Sequence, residues 1–251
     1  FKFRGASNAV LTLDDQQAAR GVATHSSGNH AGALALAARA RGIPAHVVMP
    51  TSSSAPKKAA VEGYGGRVIP CEPTLEARER TLEQVVAETG AAFIHPYDDM
   101  RIIAGQSTAA LELISAVGEL DIIMAPVGGG GLLAGTALAT HGLLPGARVV
   151  AGEPLGADDA KRSLEKGVIV PSVAPKTIAD GLLTSLGERN FPIIQQHVEQ
   201  ILTVTEEAII RAMRLAWERA KLLVEPSSAV PLAALLENRG RFAGQRVGII
   251  L

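Results

Sequence analysis

Asp121-Ile122-Ile123-Met124-Ala125-Pro126-Val127-Gly128-Gly129-Gly130-Gly131-Leu132-Leu133-Ala134-Gly135 is the stretch that decides the fold. Its uncharged run 122–127 has the pattern of a strand buried on both faces. The Ala- and Leu-rich stretch 130–143 that follows has the pattern of a packed helix. A strand that passes straight into a helix is the building unit of a parallel sheet with crossover helices. Four consecutive glycines at the junction let successive backbone N–H groups turn toward one point, where the helix N-terminus adds partial positive charge. Such a turn cradles an anion of phosphate size, although a merely flexible turn has the same composition. No Gly-Lys-Ser/Thr follows, so it is not a P-loop, and it lacks the Gly-x-Gly-x-x-Gly spacing of dinucleotide folds.

The same alternation recurs along the chain. Short apolar runs at 45–49, 67–70, 91–95, 121–127, 148–153 and 246–251 read as strands. The segments 27–41, 54–64, 74–89, 103–117, 130–143, 205–223 and 226–237 read as helices. Thr205 is placed to cap the helix that begins there, with Glu206 and Glu207 in its first turn. There is no internal repeat and no low-complexity tract, so the expected class is α/β, with any second lobe embedded in the first. The outermost residues read as core elements, which predicts that the natural chain is longer.

Composition narrows the function. The 251 residues carry 24 Lys and Arg against 25 Asp and Glu, a formal charge of −1, and only eight aromatic side chains. A nucleic-acid surface requires a basic footprint and stacking platforms, so none is expected. No run reaches the ~20 apolar residues of a membrane helix, and residues 1–20 have no apolar leader segment. The single cysteine, Cys71, excludes an internal disulfide and a cysteine-based zinc site, and fits a reducing, cytoplasmic location. His25, His95, His141 and His197 are spaced singly and read as packing or surface residues.

Two further motifs bear on chemistry. Thr24-His25-Ser26-Ser27-Gly28-Asn29-His30 lies where free N–H groups of a helix start meet small hydroxyls, an amide and an imidazole. This suits a carboxylate, while Ser26 or Ser27 also fits a plain N-cap. Phe1-Lys2-Phe3-Arg4-Gly5 sets a lysine between two aromatic rings, which favours a desolvated, nucleophilic amine.

These stretches, with Glu225-Pro226-Ser227-Ser228-Ala229, resemble the serine racemase and threonine, serine and 3-hydroxyaspartate dehydratase family of fold-type II pyridoxal-phosphate enzymes. His95-Pro96-Tyr97-Asp98-Asp99 and Thr177-Ile178-Ala179-Asp180-Gly181 add to the likeness, which runs the length of the chain. The resemblance implies a two-lobed, tryptophan synthase beta-like fold of open, twisted, mostly parallel sheets with helices on both faces. In it, residues 1–20 and 99–251 form a large cofactor-binding domain and residues 21–98 a small, mobile, inserted one.

It also implies roles. Lys2 attaches to the aldehyde of pyridoxal 5′-phosphate and later takes the substrate Cα proton, while Ser27 serves as acid and base on the opposite face. Phe1 packs on the cofactor ring, Asn29 bonds its 3′-oxygen, and Gly128, Gly129, Gly130, Gly131 and Leu132 hold the phosphate, with Glu225 near the ring edge. Ser26, Ser27, Asn29 and His30 receive the substrate carboxylate, and Thr184 stands where relatives carry another hydroxyl. Arg78 is placed to meet a second acidic group, its guanidinium suiting a carboxylate, although a solvated arginine on a helix face fits the same sequence. The turn Glu153-Pro154-Leu155-Gly156-Ala157-Asp158-Asp159 offers only oxygen ligands, which suits Mg²⁺, or Ca²⁺ or Mn²⁺, and not zinc. The family's ligands match Glu153, the Ala157 carbonyl and Asp159.

The implied activity is elimination of water from a β-hydroxy amino acid (serine, threonine or 3-hydroxyaspartate) to a keto acid and ammonia, with racemase activity, in a cytoplasmic homodimer. The alternatives are a β-replacement enzyme, whose carboxylate loop would read Thr-Ser-Gly-Asn-Thr, and an impaired cofactor-binding homologue. The family's Ser-Gly-Gly-Asn segment, whose serine bonds the pyridine nitrogen, is expected just beyond Leu251, and Tyr97 stands where some racemases carry Asn.

Overall fold

The computed structural model describes residues 1–251, which divide into two compact units, Phe1–Gly105 and Gln106–Leu251. In the first, helices α1 (Lys2–Leu11) and α2 (Asp15–Arg20) precede an alternation of β1 (Val22–His25), α3 (Asn29–Arg41), β2 (Ala45–Pro50), α4 (Ala55–Gly63), β3 (Arg67–Cys71), α5 (Leu75–Thr89) and β4 (Ala92–Phe93). The strands form one parallel sheet in the order β3-β2-β1-β4. Side-chain alternation covers both faces. Val22 and Ala45 pack with α1, α2 and α3 in a cluster that includes Ala9, Val10 and Leu34. Val47 and Met49 meet Ala31, Ala35 and Val61 of α3 and α4. Ala23 and Val48 turn the other way, onto Leu82 and Val85 of α5. The alanine-rich face of α3 brings α1 against it, which is why residues 1–20 fall in this unit.

Helix α6 (Met100–Val117) leads to β5 (Ile122–Pro126), α7 (Gly131–Leu143), β6 (Arg148–Pro154), α8 (Asp159–Lys166), α9 (Asn190–His197), β7 (Gln200–Val204), α10 (Glu206–Leu215), α11 (Pro226–Glu237) and β8 (Val247–Ile249). The second sheet is also parallel, in the order β7-β6-β5-β8. Ile122, Met124 and Val150 face Ala208, Ile209, Ala229 and Ala233 of α10 and α11. The alternate residues Ile123, Ala125 and Ala151 are buried on the opposite face, and α7 packs against β5 and β6. No helix is long and apolar enough to cross a membrane.

The two sheets share a topology in which the strand order reverses beside the first strand of each, β1 and β5. In open α/β sheets such reversals leave a ligand-sized opening at the strand carboxyl ends. Ser26 to His30 follow β1, and Gly128 to Gly131 follow β5.

The expected helix over 205–223 is shorter than its sequence pattern. Thr205 caps α10 through a bond from the Ala208 amide, but the chain widens into a π turn at Ala216–Ala220 and ends with Lys221 at φ 59°. Pro226 at the start of α11 then holds Glu225 in an extended conformation.

Candidate active site

In the first unit, Lys2 begins α1 and its Nζ donates to the Pro96 carbonyl at 2.8 Å. The amine lies 5.3 Å from the centroid of the half-exposed Phe1 ring and 6.0 Å from that of Tyr97. After β1, the Ser26 amide still bonds the Val48 carbonyl at 3.1 Å, and then the Gly28 amide turns back onto Ser26 Oγ at 3.3 Å. The first helical turn closes with Ala31 N donating to Gly28 O at 3.0 Å. Ser27 and Asn29 are exposed on this loop.

His30 faces inward. It is 2% exposed, with Nε2 3.4 Å from the Ile94 carbonyl. Burial, aided by the charge of Lys2, pushes its pKa down to about 3, so the ring is neutral. With its proton on the nitrogen facing Ile94, the ring has no donor left for a carboxylate, and what His30 offers such a ligand is its main-chain N–H. His25 follows the same logic, lowered to about 4 by burial and then by His95 and Arg78. His95 accepts at Nδ1 from the amides of Tyr97 at 3.2 Å and Asp98 at 2.8 Å, and its ring meets Tyr97 edge-on at 4.6 Å. Next to Ser27 is a cavity of about 260 Å³, bordered by Ser52, Ser53, Ser54, Lys57 and Arg78. Arg78 is half-buried and its Nε donates to Thr74 O at 3.3 Å.

In the second unit, the glycine turn follows β5 and is buried throughout. Gly130 has φ 91°, and a Cβ there would stand 2.9 Å from Ile194 and 3.0 Å from Asn190; a Cβ on Gly128 would stand 3.0 Å from the Leu182 backbone. The turn therefore requires glycine for both conformation and space. The first bond of α7 runs from Ala134 N to Gly130 O at 2.8 Å, so the amides from Gly128 to Leu133 precede the helical ladder. The Gly129 carbonyl is fixed by Asn190 Nδ2 at 2.7 Å and by Gly187 N at 3.1 Å. Behind the turn, Gly181 N donates to Ser227 Oγ at 3.0 Å. Glu225 is exposed at the N-cap of α11, and Thr184 is exposed just after the 3-10 turn Asp180–Leu182.

At the end of β6, Glu153 is 1% exposed and accepts from the amides of Ala160 at 2.8 Å and Lys161 at 2.9 Å. Asp159 is 2% exposed, and its buried Oδ2 has no hydrogen-bond partner. Burial, together with their mutual repulsion in the case of Glu153, raises Glu153 to about 8 and burial raises Asp159 to about 6. No three His, Cys, Asp or Glu side chains gather at any point, so a cation here needs main-chain oxygen as well. A buried carboxylate oxygen without a donor is costly, and a hard cation relieves that cost.

The structure thus gathers Lys2, Ser26, Ser27, Asn29, His30 and Arg78 in one unit and the glycine turn, Glu153, Ala157, Asp159, Thr184 and Glu225 in the other. Sequence reasoning missed Asn190 and gave no role to Ser227 or the Pro96 carbonyl, which act from remote segments on residues it did single out. The histidines that read as isolated pair in space. The rings of His141 and His197 lie 4.4 Å apart, and those of His25 and His95 6.3 Å apart, because helix and strand ends bring distant positions together.

The profile of the pyridoxal-phosphate dependent enzyme family matches residues 1–251. The beta-hydroxyaspartate dehydratase of Paracoccus denitrificans is 52% identical over 251 residues, all of this chain and 80% of that protein. The serine racemase of Arabidopsis thaliana is 50% identical over 241 residues, 96% of this chain and 73% of that protein. The crystal structure of the Dictyostelium discoideum serine racemase superposes with a TM-score of 0.95 at 47% identity, over 99% of this chain and 81% of that one. The chain belongs to the pyridoxal-phosphate dependent enzyme family and has its fold-type II architecture. The cofactor is pyridoxal phosphate. The residues present fit it: in the second unit a cradle of main-chain amides in which a Cβ would intrude, and in the first a lysine amine held on a main-chain carbonyl.

Proposed function

We propose that the chain eliminates water from a β-hydroxy amino acid (serine, threonine or 3-hydroxyaspartate) to give a keto acid and ammonia, and also racemises amino acids. The observation that carries this is the company of Lys2 in its own unit: an amine held on the Pro96 carbonyl, and a serine loop exposed at the start of α3. Kinship to both a dehydratase and a racemase supports it.

Bound pyridoxal phosphate supplies the electron sink that makes the substrate Cα proton acidic. Lys2 Nζ removes that proton from one face, and Ser27 Oγ exchanges it on the other. The amides of Asn29 and His30, with the Ser26 and Ser27 hydroxyls, orient the substrate carboxylate. Asn29 would also bond the cofactor 3′-oxygen, Phe1 would pack on the ring and Glu225 would stand near its edge, while Thr184 would offer the substrate a further hydroxyl. Gly128, Gly129, Gly130, Gly131 and Leu132 hold the phosphate by main-chain N–H groups. Glu153, the Ala157 carbonyl and Asp159 would hold Mg²⁺, which would neutralise two buried carboxylates. The exposed Trp217 and the 92% exposed Leu223 support assembly into a homodimer, and the composition supports a cytoplasmic location.

Lys2→Ala in the reconstituted protein tests this. Release of keto acid from L-serine, L-threonine and L-threo-3-hydroxyaspartate is expected to disappear, together with the visible absorption of the lysine-bound cofactor. Turnover surviving intact removes Lys2 from the chemistry.

A further inference from the structure

Helices α7 and α9 pack side by side and run in the same direction. At their starts, Asn190 of α9 holds the Gly129 carbonyl, and a Cβ on Gly130 would stand 2.9 Å from Ile194. At their far ends they meet through two imidazoles. His141 lies in the last turn of α7 and His197 closes α9, with ring centres 4.4 Å apart and planes inclined at 37°. His141 is exposed and His197 half-buried, and neither imidazole makes a hydrogen bond within the protein. Burial, and then the charge of His141, hold the His197 pKa below its usual value, so at neutral pH this ring keeps a nitrogen lone pair open. Both helices also direct the negative ends of their dipoles to this place, which favours a cation there.

We infer that His141 and His197 form a binding site for a late divalent transition ion, copper or nickel, which they hold in adjacent coordination positions through one nitrogen each while water fills the others. The spacing selects the geometry. With metal–nitrogen bonds of about 2.0–2.1 Å, two imidazoles in cis positions of a square or octahedral ion have ring centres about 4.5 Å apart, and two on a tetrahedral ion about 5.2 Å. The observed 4.4 Å matches the first. Imidazole nitrogen suits copper and nickel, and affinity for a given nitrogen site rises toward copper along the first row. The chemistry thus differs from that of Glu153 and Asp159, whose oxygens suit a hard cation. No third His, Cys, Asp or Glu joins the pair, which leaves the ion open to solvent and makes the site one of moderate affinity. A metal here closes a loop of 197 − 141 = 56 residues, so it acts as a clip that restrains unfolding of the α7–α9 pair. The site needs nothing from the reaction proposed above.

The test uses the cofactor-loaded protein without an affinity tag, in excess Mg²⁺ so that carboxylate ligands are occupied, and its His141→Gln, His197→Gln and doubly substituted variants. Calorimetric titration with Ni²⁺ is expected to show one site in the wild type. Either single substitution should weaken it about a hundredfold, the low end of what a second linked donor adds. The double variant should bind no more weakly than the singles, because the two ligands act as a unit. Electron paramagnetic resonance with one equivalent of Cu²⁺ should show coupling to two imidazole nitrogens in the wild type and to fewer in each single variant. Ni²⁺ should raise the melting temperature of the wild type alone. Nickel affinity or copper coupling that is unchanged in a single variant overturns the assignment and leaves the two rings as a packing contact. His141 is exposed at a helix end, so His141→Gln carries the test even if His197→Gln fails to fold.

Discussion

Asn190 Nδ2 donates to the Gly129 carbonyl at 2.7 Å, across 61 residues of sequence. In a trans peptide the carbonyl and the following N–H point in opposite directions. Anchoring Gly129 O on the first residue of α9 therefore aims the Gly130 N–H away from that helix and into the turn. The Gly187 amide on the same oxygen, at 3.1 Å, completes the hold. The four glycines supply a backbone able to adopt this shape, and the remote helix selects one shape from the many that glycine permits.

Asn190→Ala should therefore act on the phosphate without touching it. Titration of the cofactor-free protein with pyridoxal phosphate is expected to show about tenfold weaker binding, in keeping with the ~1–3 kcal/mol of a buried acceptor losing a partner. Gly130→Ala is expected to be worse, because it adds a Cβ 2.9 Å from Ile194 at a φ of 91°. Equal cofactor affinity in Asn190→Ala and wild type would show that the turn holds itself.

Ser27 is exposed at the head of the carboxylate loop, whereas Lys2 is held on Pro96, so the two proton carriers have separate supports. Ser27→Ala is expected to lower racemisation of L-serine by ~100-fold or more, the usual scale of a lost acid/base group. Keto acid formation from the enantiomer whose Cα proton Lys2 removes should decline much less. Chiral chromatography for the first product and a coupled keto acid assay for the second separate the two, and a parallel loss of both would make Ser27 a substrate-binding residue only.

Local sequence carried the repeating strand–helix units well, because runs such as Ile122–Pro126 are apolar on both faces and their helices are capped by clear residues, Thr74 and Thr205 among them. The strand Gln200–Val204 went unread because only Ile201 and Val204 of its five residues are buried, as suits a sheet edge. Helix α2 also went unread, although Asp14 and Gln17 form a reciprocal capping box. At the site, the glycine turn and the serine loop were legible because each sits at a strand-to-helix junction. Asn190 was not, since its role comes from a tertiary neighbour, the Gly129 carbonyl, that no local pattern encodes.

The Asp159 oxygen without a donor leads to a prediction about stability. Added Mg²⁺ is expected to raise the melting temperature of the wild-type protein, corresponding to ~2.7 kcal/mol at a hundredfold excess over Kd. In Asp159→Asn and Glu153→Gln the effect should vanish, because each removes one of the two anionic ligands. A rise of equal size in both variants would place the cation elsewhere.

Acid sensitivity follows from His30. Its folded-state pKa, about 3, lies below the value near 6.5 of an unfolded histidine, because burial disfavours the charged ring. Between these values the unfolded chain binds a proton that the folded chain refuses, so stability falls as the pH is lowered from about 6.5 toward 3. For a ring 2% exposed, the full effect is about 4–5 kcal/mol, and it is absent above pH ~7, where neither state is protonated. His25, lowered to about 4 but partly open to solvent, adds a smaller slope over the upper part of the same window. Urea denaturation of the cofactor-free protein at a series of pH values should therefore give a midpoint that drops steadily below pH ~6.5. In His30→Gln, whose amide can still donate to the Ile94 carbonyl, the midpoint at neutral pH shifts but the slope flattens. An undiminished slope in that variant would assign the acid lability to other groups.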